Sequence, residues 1–205
     1  MCDKKVPKPV VARLPIYLHY LKTLEKGTQT NISSGSIAQA LGLGEVQVRK
    51  DLGLISGAGK PKVGYKVDEL INHIEKALGT SEETKAVIVG AGKLGLALLG
   101  YEGFKEFGIN ILAAFDKNSE KLCETGNNKR VLAIAELKNY CVMHSVKIGI
   151  ITVPEKEAVK VYEELKTCGV SAVWNFAPVR LAGENGIKVR NENMAAALAV
   201  LAADL

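Results

Sequence analysis

The chain has 205 residues, 47% of them hydrophobic and 24% charged, and its formal net charge is +5 at neutral pH. That length accommodates one large domain or two small ones, each with its own buried core. Because the sequence shows neither a secretory leader nor an apolar run of membrane-spanning length, it argues against an exported or membrane protein, and we expect a cytoplasmic chain with reduced thiols.

Positive charge is concentrated at the start of the chain. Residues 1–66 contain eleven Lys and Arg residues and four acidic residues, a local net charge of +7, so the remaining residues carry −2. Such localisation favours a polyanionic partner such as nucleic acid, although a solvated lysine-rich surface has the same composition.

The basic segment predicts a helix-turn-helix. VARLPIYLHYL spaces Leu14, Leu18 and Leu21 along one face of an amphipathic helix. Two short helices follow, the first over about residues 36–41 and the second from Glu45, joined by a glycine-containing turn. This pattern alone is also typical of a three-helix bundle that does not bind DNA.

The second short helix has a polar outer side. Val48 and Leu52 are four residues apart and would face the core, which leaves Gln47, Arg49 and Lys50 on other faces. We expect these three side chains to reach DNA.

A segment rich in glycine and lysine, SGAGKPKVGYKV, comes next. It breaks helical structure and projects Lys60 and Lys62, as a β-wing does beside a reading helix, although a linker with solvated lysines has the same composition. Helical spacing returns in VDELINHIEKALG, where Leu70 and Ile74 are four residues apart. We therefore predict a winged-helix domain over residues 1–80.

From Lys85 the pattern changes to alternating strands and helices. KAVIVG, INILAAFD, VKIGIITV and VSAVWNF are apolar enough for buried strands, and KLGLALLGYEGF and EKEAVKVYEELKTCG have the composition of helices. Continuous apolar strands separated by helices predict a parallel sheet covered on both faces. The predicted fold class is α/β, with a Rossmann-like domain over residues 81–190.

The turn after the first of these strands, in VIVGAGKLG, is a candidate phosphate site. Gly90, Gly92 and Gly95 form G-x-G-x-x-G between a strand and a helix, where the helix N-terminus can hold the pyrophosphate of a dinucleotide. Asp116 ends the second strand and is placed for the adenosine ribose, which favours NAD over NADP, while the adjacent Lys117 moderates that preference. Similar turns also bind CoA, or no ligand.

The sequence offers no candidate active site. His144 has no acidic partner at a useful spacing, Cys141 and Cys168 have the surroundings of packing residues, and together with Cys2 and Cys123 they include no Cys-x-x-Cys pair. We therefore expect neither an enzyme nor a metal site, with a small NAD-dependent oxidoreductase as the alternative.

The last fifteen residues, NENMAAALAVLAADL, are almost wholly apolar after Asn193. Apolar residues recur there at steps of four, three and four: Met194, Leu198, Leu201 and Leu205. This spacing predicts a helix that must be buried, either on its own sheet or in a second subunit. We favour a homodimer with exchanged helices and take residues 191–205 as the dimerisation element.

Seven short motifs along the chain point to one family. RLPIYLHYL would be its first helix, QVRKDL its recognition helix and VGYKVDEL the exit from its wing. GAGKLG, YEGF, AAFD and above all NFAPVRL would belong to its nucleotide domain. Over nearly the whole chain, these motifs resemble the Rex family of redox-sensing transcriptional repressors.

The resemblance implies a homodimer that binds a palindromic DNA operator when NADH is scarce and leaves it when NADH binds, in response to the NADH/NAD+ ratio. A DNA-binding protein whose Rossmann domain only dimerises is the alternative. Three groups of site residues follow. Those for the adenosine and pyrophosphate of the nucleotide are Gly90, Ala91, Gly92, Lys93, Leu94, Gly95 and Asp116, and those near its nicotinamide end are Tyr101, Val153, Pro154, Phe176 and Pro178. Those for DNA are Gln47, Arg49, Lys50, Lys60 and Lys62; those for the switch and the dimer are Arg13, Asn193, Met194, Leu198 and Leu201.

The chain departs from the family at three places. In the wing, Ala-Gly-Lys-Pro-Lys stands at residues 58–62 where the family has Phe-Gly-Lys-Arg-Gly, so we expect different minor-groove contacts. Lys93 replaces a common asparagine and puts positive charge beside the pyrophosphate. Asn193 lies where relatives carry an aspartate that pairs with the arginine of the first helix, here Arg13.

Overall fold

The computed structural model describes these parts of the chain: residues 6–24, 30–80, 82–118 and 129–203. They form two compact units. The first unit runs to Glu82 and includes Glu106–Gly108, and the second comprises Glu83–Lys105 and the residues from Ile109 onward. Three residues considered above lie outside the described parts: Cys2, Cys123 and Leu205.

Within the described residues, the first unit consists of helices and two very short strands. In chain order these are α1 (Lys8–Thr23), β1 (Asn31–Ile32), α2 (Ser34–Leu41), α3 (Glu45–Ser56), β2 (Tyr65–Lys66) and α4 (Val67–Leu78). β1 and β2 pair antiparallel. Helix α2 begins two residues earlier than the sequence predicts because Ser33 caps it, its hydroxyl accepting a hydrogen bond from Ser36 N–H at 2.9 Å.

The core of the first unit is made by the apolar faces of its helices. Leu14 and Leu18 of α1, Leu52 of α3 and Ile74 of α4 are each fully buried. The predicted helical spacings therefore do mark the core-facing positions, and burial of such side chains is worth about 1.5–3 kcal/mol each before entropy is counted. Because α3 is anchored on one face, its opposite face is free for a ligand.

Among its described residues, the second unit is organised by a parallel sheet of six strands. Its elements are β3 (Thr84–Val89), α5 (Lys93–Gly100), β4 (Ile109–Asp116), β5 (Arg130–Ala133), α6 (Leu137–His144), β6 (Ile148–Ile151), α7 (Glu155–Thr167), β7 (Ala172–Asn175), β8 (Lys188–Asn191) and α8 (Met194–Ala203). The strand order is β5-β4-β3-β6-β7-β8, and every neighbouring pair is parallel. This order is that of a Rossmann fold, as predicted.

Helices cover both faces of this sheet. On one face, Val87, Phe115 and Ile151 form a buried cluster with residues of α6 and α7. On the other face, Ile88 and Ala114 pack with Leu99 of α5. Strands buried on both sides are continuous apolar runs, which is why the four inner strands were recognisable in the sequence.

The edges of the sheet differ from the prediction. β5 and β8 were not predicted, because both are edge strands of four residues, and β8 carries the exposed polar residues Lys188, Arg190 and Asn191. The predicted helix KLGLALLGYEGF ends at Gly100, and a 3₁₀ turn over Glu102–Phe107 follows it.

Helix α8 is exposed at every described position. Met194, Leu198, Val200 and Leu201 are between 58% and 66% exposed. The expectation that this helix could be buried on its own sheet is therefore wrong for the single chain.

Candidate functional site

The glycine turn lies at the carboxyl end of β3, where the strand order reverses. β3 has β4 on one side and β6 on the other, and doubly wound sheets bind ligands outside the carboxyl ends of their strands at such a point. Gly90 N–H donates to the Phe115 carbonyl at 2.8 Å, and Thr152 N–H donates to the Val89 carbonyl at 2.9 Å. These bonds hold the ends of three strands together around the turn.

The three glycines of the turn have different surroundings. Gly90 has a φ of +107°, and a Cβ there would lie 2.9 Å from the backbone of Thr152. A Cβ on Gly95 would lie 2.0 Å from the Gly90 carbonyl oxygen, so glycine is required for α5 to pack this closely. A Cβ on Gly92 would meet no described atom within 4 Å, because this residue faces an open cavity.

Asp116, the last residue of β4, is buried beside the turn. Its Oδ2 accepts a hydrogen bond from Ala91 N–H at 2.8 Å, and its Oδ1 accepts one from Asn118 N–H at 2.9 Å. The carboxylate therefore has a fixed orientation next to the cavity.

The cavity at this edge of the sheet has a volume of about 430 Å³. Five of the residues assigned to the nucleotide line it: Gly90, Gly92, Asp116, Val153 and Pro154. Ile134, Thr152 and Glu157 also line it and are missing from the sequence-based assignment.

Thr152 supports the turn from β6. Its Oγ1 donates to the Gly90 carbonyl at 2.7 Å and lies 3.2 Å from the Val89 carbonyl. A single threonine at the end of an apolar strand gives no signal in the sequence, since its role depends on a contact 62 residues away.

Tyr101 and Phe176, assigned to the nicotinamide end, belong to one row of aromatic rings on the α5 side of the sheet. The ring centroids of Tyr101 and Phe104 are 5.1 Å apart, those of Phe104 and Trp174 are 6.0 Å apart, and those of Trp174 and Phe176 are 4.4 Å apart. Tyr101 is 60% exposed at the outer end of the row. These rings lie outside the lining of the 430 Å³ cavity.

Four other assigned residues surround the turn or follow β7. Ala91 is buried in the turn, Lys93 is exposed and Leu94 is half-buried in the first turn of α5, and Pro178 is exposed. The backbone N–H of Ala91 is directed at Asp116. The exposed Lys93 side chain adds positive charge at the N-terminus of α5.

The polar side of α3 is accessible. Gln47, Arg49 and Lys50 are exposed, whereas Val48 and Leu52 are fully buried. The first unit thus presents three side chains that can donate hydrogen bonds to bases or phosphates.

The predicted wing is a tight hairpin turn. Lys60 N–H donates to the Gly64 carbonyl at 2.9 Å, and Gly64 N–H donates to the Lys60 carbonyl at 2.8 Å. Lys60 and Lys62 are exposed. The hairpin and Arg49 line one open cavity of about 600 Å³, so helix and wing present cations to the same space.

Arg13, assigned to the switch, pairs with helix α3 in this structure. Its Nε and Nη2 donate to the two carboxylate oxygens of Asp51 at 2.7 and 2.8 Å, and the Tyr17 hydroxyl donates to Asp51 Oδ2 at 2.8 Å. Burial, followed by the bond to Asp51, raises the pKa of Tyr17 to about 12. Burial opposes ionisation of Asp51, but the bonds from Arg13 and Tyr17 hold its pKa below the ordinary value.

Asn193 has a structural role at the start of α8. Its Oδ1 accepts a hydrogen bond from Ala196 N–H at 2.9 Å, the geometry of a helix N-cap. The preceding Glu192 accepts hydrogen bonds from Trp174 Nε1 at 3.1 Å and from Arg190 Nε at 2.5 Å. The polar side chains at this end of α8 therefore have partners within the second unit.

Among residues 6–24, 30–80, 82–118 and 129–203, no three His, Cys, Asp or Glu side chains are grouped in a way that could hold a metal ion. Helices in the same ranges are too short or too polar to cross a bilayer.

Two family models match the chain. Residues 5–53 match one described as "Putative DNA-binding protein N-terminus", and residues 81–179 match one described as "CoA binding domain". The second model covers the glycine turn and the cavity but stops before β8 and α8.

Curated relatives match over the full length. The redox-sensing transcriptional repressor Rex of Treponema denticola is 41% identical over 202 residues, which are 98% of this chain and 96% of the relative. The protein of the same name from Desulforamulus reducens is 39% identical over 201 residues, again 98% of this chain and 96% of the relative.

Solved structures of a Rex-family repressor, RSP, have the same fold. RSP in complex with β-NAD+ and operator DNA has a TM-score of 0.88 and 30% identity, covering 97% of this chain and 92% of RSP. RSP in complex with β-NADH has a TM-score of 0.83 and 29% identity, covering 98% of this chain and 95% of RSP. The chain therefore belongs to the Rex family of redox-sensing transcriptional repressors.

Proposed function

We propose that this chain is a redox-sensing repressor that binds palindromic operator DNA as a homodimer and is released by NADH. The proposal rests on two features that occur in one chain. The first is an exposed polar face on α3 beside a basic hairpin, and the second is a glycine turn that opens on a cavity. The full-length similarity to Rex repressors supports it.

In this proposal the cavity takes the adenosine half of NAD(H). Backbone N–H groups at the start of α5 bind the pyrophosphate, with Gly92 leaving room for its approach, and Asp116 accepts hydrogen bonds from the ribose. The complexes of RSP with β-NAD+ and β-NADH support this choice of ligand.

The nicotinamide end must discriminate the two oxidation states, because NADH and NAD+ share the adenosine half. The NAD+ ring carries a positive charge and the NADH ring does not. We assign this end to Tyr101, Phe176 and Pro178, since Val153 and Pro154, which the sequence assigns to the same end, line the cavity with Asp116. A Tyr101→Phe variant that kept full discrimination between NADH and NAD+ would exclude the Tyr101 hydroxyl from this role.

DNA contacts are assigned to α3 and the hairpin. Gln47 and Arg49 have the side chains that read adenine and guanine edges in the major groove, and Lys50, Lys60 and Lys62 suit phosphate contacts. The complex of RSP with operator DNA supports a DNA partner for this chain.

The homodimer is assigned to residues 191–205. An apolar helix exposed on all sides is costly in water, and insertion of Met194, Leu198 and Leu201 into a second copy of the chain would bury it. The two α3 helices of such a dimer, about 34 Å apart, would then reach successive major grooves of a palindromic operator.

To release the DNA, NADH need only favour a dimer arrangement in which the spacing of the two α3 helices no longer matches the operator. A coupling of about 1–3 kcal/mol would change DNA affinity by about 5- to 150-fold, and linkage requires DNA to weaken NADH binding by the same factor.

We propose regulation without turnover. The Thr152 hydroxyl in the cavity donates its proton to the Gly90 carbonyl of the turn, so it is not free to transfer that proton to a substrate. A small oxidoreductase would instead consume NADH in the presence of simple carbonyl compounds, which absorbance of NADH measures directly.

The proposal is tested by fluorescence anisotropy of a labelled palindromic operator at fixed salt. NADH should release the DNA at a concentration well below that required of NAD+, each titrated up to millimolar levels. Tight DNA binding that neither nucleotide changes would reject the sensing function and leave a constitutive DNA-binding protein.

A further inference from the structure

An ion pair lies at the mouth of the nucleotide cavity. Lys117 directly follows β4, and its ammonium group contacts the Glu157 carboxylate in the first turn of α7. Both residues line the cavity, with the Lys117 side chain 69% exposed and the Glu157 side chain 35% exposed. The functional assignments above give Glu157 no role, and they give Lys117 only a moderating effect on the preference for NAD.

The position of this ion pair relates it to the 2′ substituent of the adenosine ribose. Asp116 precedes Lys117 and has the position from which an acid binds the adenosine ribose in this fold. In NADP the 2′-hydroxyl of that ribose carries a phosphate, and a neighbouring basic residue accommodates it. By sequence position alone, Lys117 could be that basic residue.

In the structure, the charge of Lys117 is balanced. Asp116 and Glu157 contribute two carboxylates at the cavity mouth and Lys117 one ammonium group. Hydrogen bonds from Ala91 and Asn118 hold the Asp116 carboxylate in place, so it cannot turn away from a second anion. A phosphate at this point would lie beside both carboxylates.

Helix α7 contributes to the same balance. It begins at Glu155, directly after the cavity residues Val153 and Pro154, so its N-terminus is next to the cavity. Free N–H groups at a helix N-terminus attract phosphate, and acidic residues in the first turn offset that attraction. Glu157 occupies the first turn of α7 together with Glu155.

We propose that Glu157 makes this site select NAD(H) over NADP(H), by pairing with Lys117 and by offsetting the positive N-terminus of α7. The inference rests on the proposed function, since it specifies which dinucleotide the cavity accepts. It replaces the expectation that Lys117 moderates the preference for NAD: Glu157 removes the attraction that Lys117 would otherwise exert on a 2′-phosphate.

The test compares NADH and NADPH binding to full-length wild type and Glu157→Gln at low salt. Glutamine keeps the shape of the side chain and removes its charge. Binding is read from quenching of the fluorescence of Trp174, the one tryptophan of the chain. We expect NADPH affinity to rise by about tenfold and NADH affinity to change by less than about threefold, with the NADPH gain shrinking as salt is added.

Two further variants isolate the cause. Glu163→Gln makes the same chemical change on α7 at a residue that is 57% exposed, pairs with Lys166 and lies outside the cavity lining, and it should leave both affinities unchanged. Lys117→Ala added to Glu157→Gln should abolish most of the NADPH gain.

The outcomes are distinguishable. A Glu157→Gln variant that binds NADH as wild type does but gains no NADPH affinity would overturn the role of Glu157. A gain that survives Lys117→Ala in full would overturn the role of the ion pair. Wild-type protein that binds neither dinucleotide would instead overturn the proposed function.

Discussion

Two glycines in the turn after β3 allow folding and binding to be separated. A Cβ at Gly95 would lie 2.0 Å from a carbonyl oxygen, whereas a Cβ at Gly92 would meet no described atom within 4 Å. Gly95→Ala should therefore destabilise the chain by about 1–3 kcal/mol and weaken NADH binding, since the turn must open. Gly92→Ala should keep the melting temperature and lose about tenfold in NADH affinity, because the methyl group occupies the space left for the pyrophosphate.

Thermal unfolding and a nucleotide titration on both variants make this comparison. Unchanged NADH affinity in Gly92→Ala would show that the pyrophosphate does not approach this turn.

Asp51 gives the first unit a pH-dependent stability. Its pKa is lowered in the folded chain, so its stabilising effect is complete above the ordinary carboxyl pKa of about 4 and is lost as the pH falls through the lowered value. At pH 7, Asp51→Asn should unfold at a lower urea concentration than wild type, because the Arg13 guanidinium loses its counter-charge. The difference should narrow below about pH 4.

Urea unfolding followed by circular dichroism at several pH values measures this difference. Asp68→Asn, at an exposed position in α4, is the control and should behave as wild type. A gap between Asp51→Asn and wild type that stays constant down to pH 3 would contradict the role given to the Asp51 carboxylate.

At the scale of residues, the sequence located the turn but only part of the cavity. Gly90, Gly92 and Asp116 were recognisable because a spacing between a strand and a helix defines their chemistry. Thr152 and Glu157 were not, since each acquires its role through a partner distant in sequence, Gly90 for the first and Lys117 for the second. In the sequence, Glu157 is one of several charged residues on a helix.

The exposed side of helix α3 should contribute to DNA affinity and not to stability. Arg49 and Lys50 are exposed, so their replacement by alanine should leave the unfolding midpoint unchanged and weaken operator binding. For each phosphate contact that is lost, the slope of log affinity against log salt should fall by about 0.9. Operator titrations at several salt concentrations measure both effects.

Lys76→Ala, an exposed lysine on α4, serves as the control for that helix. An equal loss of operator affinity in Lys76→Ala would show that general positive charge, and no particular face of α3, binds the DNA.

The N-cap of α8 distinguishes two roles for residue 193. Asn193→Asp keeps an acceptor for Ala196 N–H, whereas Asn193→Ala loses the cap, at about 1 kcal/mol. We therefore expect sedimentation at graded concentrations to show a weaker dimer for Asn193→Ala alone. Equal weakening in Asn193→Asp would mean that the amide group itself is needed.

At the scale of elements, the strands that could be predicted from the sequence were the buried ones. The inner strands β3, β4, β6 and β7 are apolar on both faces and were predicted. β5 and β8 were missed because an edge strand is short and has one solvated side. Asn191 of β8 is fixed to Asn175 of β7 by a side-chain hydrogen bond of 2.9 Å, a contact that no local pattern predicts.

For the whole molecule, α8 should decide both assembly and DNA binding. Leu198 is 66% exposed in the single chain, so Leu198→Glu costs nothing there, yet it would bury a charge inside a homodimer. We expect sedimentation to show monomers and the operator affinity to fall by about 100-fold or more. The reason is that the two halves of the palindrome would no longer be bound by two linked DNA-binding domains. Val142→Glu, at a 64% exposed position of α6, is the matched control.

Wild-type operator affinity in Leu198→Glu would show that α8 lies outside the dimer interface.

In the proposed homodimer, the apolar character of α8 on every side would also affect how long two subunits stay together. A helix with one apolar face exposes only that face to water when it leaves a partner. A helix that is apolar on every side, and enclosed by its partner, must expose all of its side chains to water before it can bind a new partner. Exchange of subunits between finished dimers should accordingly be slow compared with synthesis of new chains. A defective subunit produced in the same cell would then inactivate only the dimers that form after it is made. Dimers assembled earlier would still respond to NADH until cell growth dilutes them.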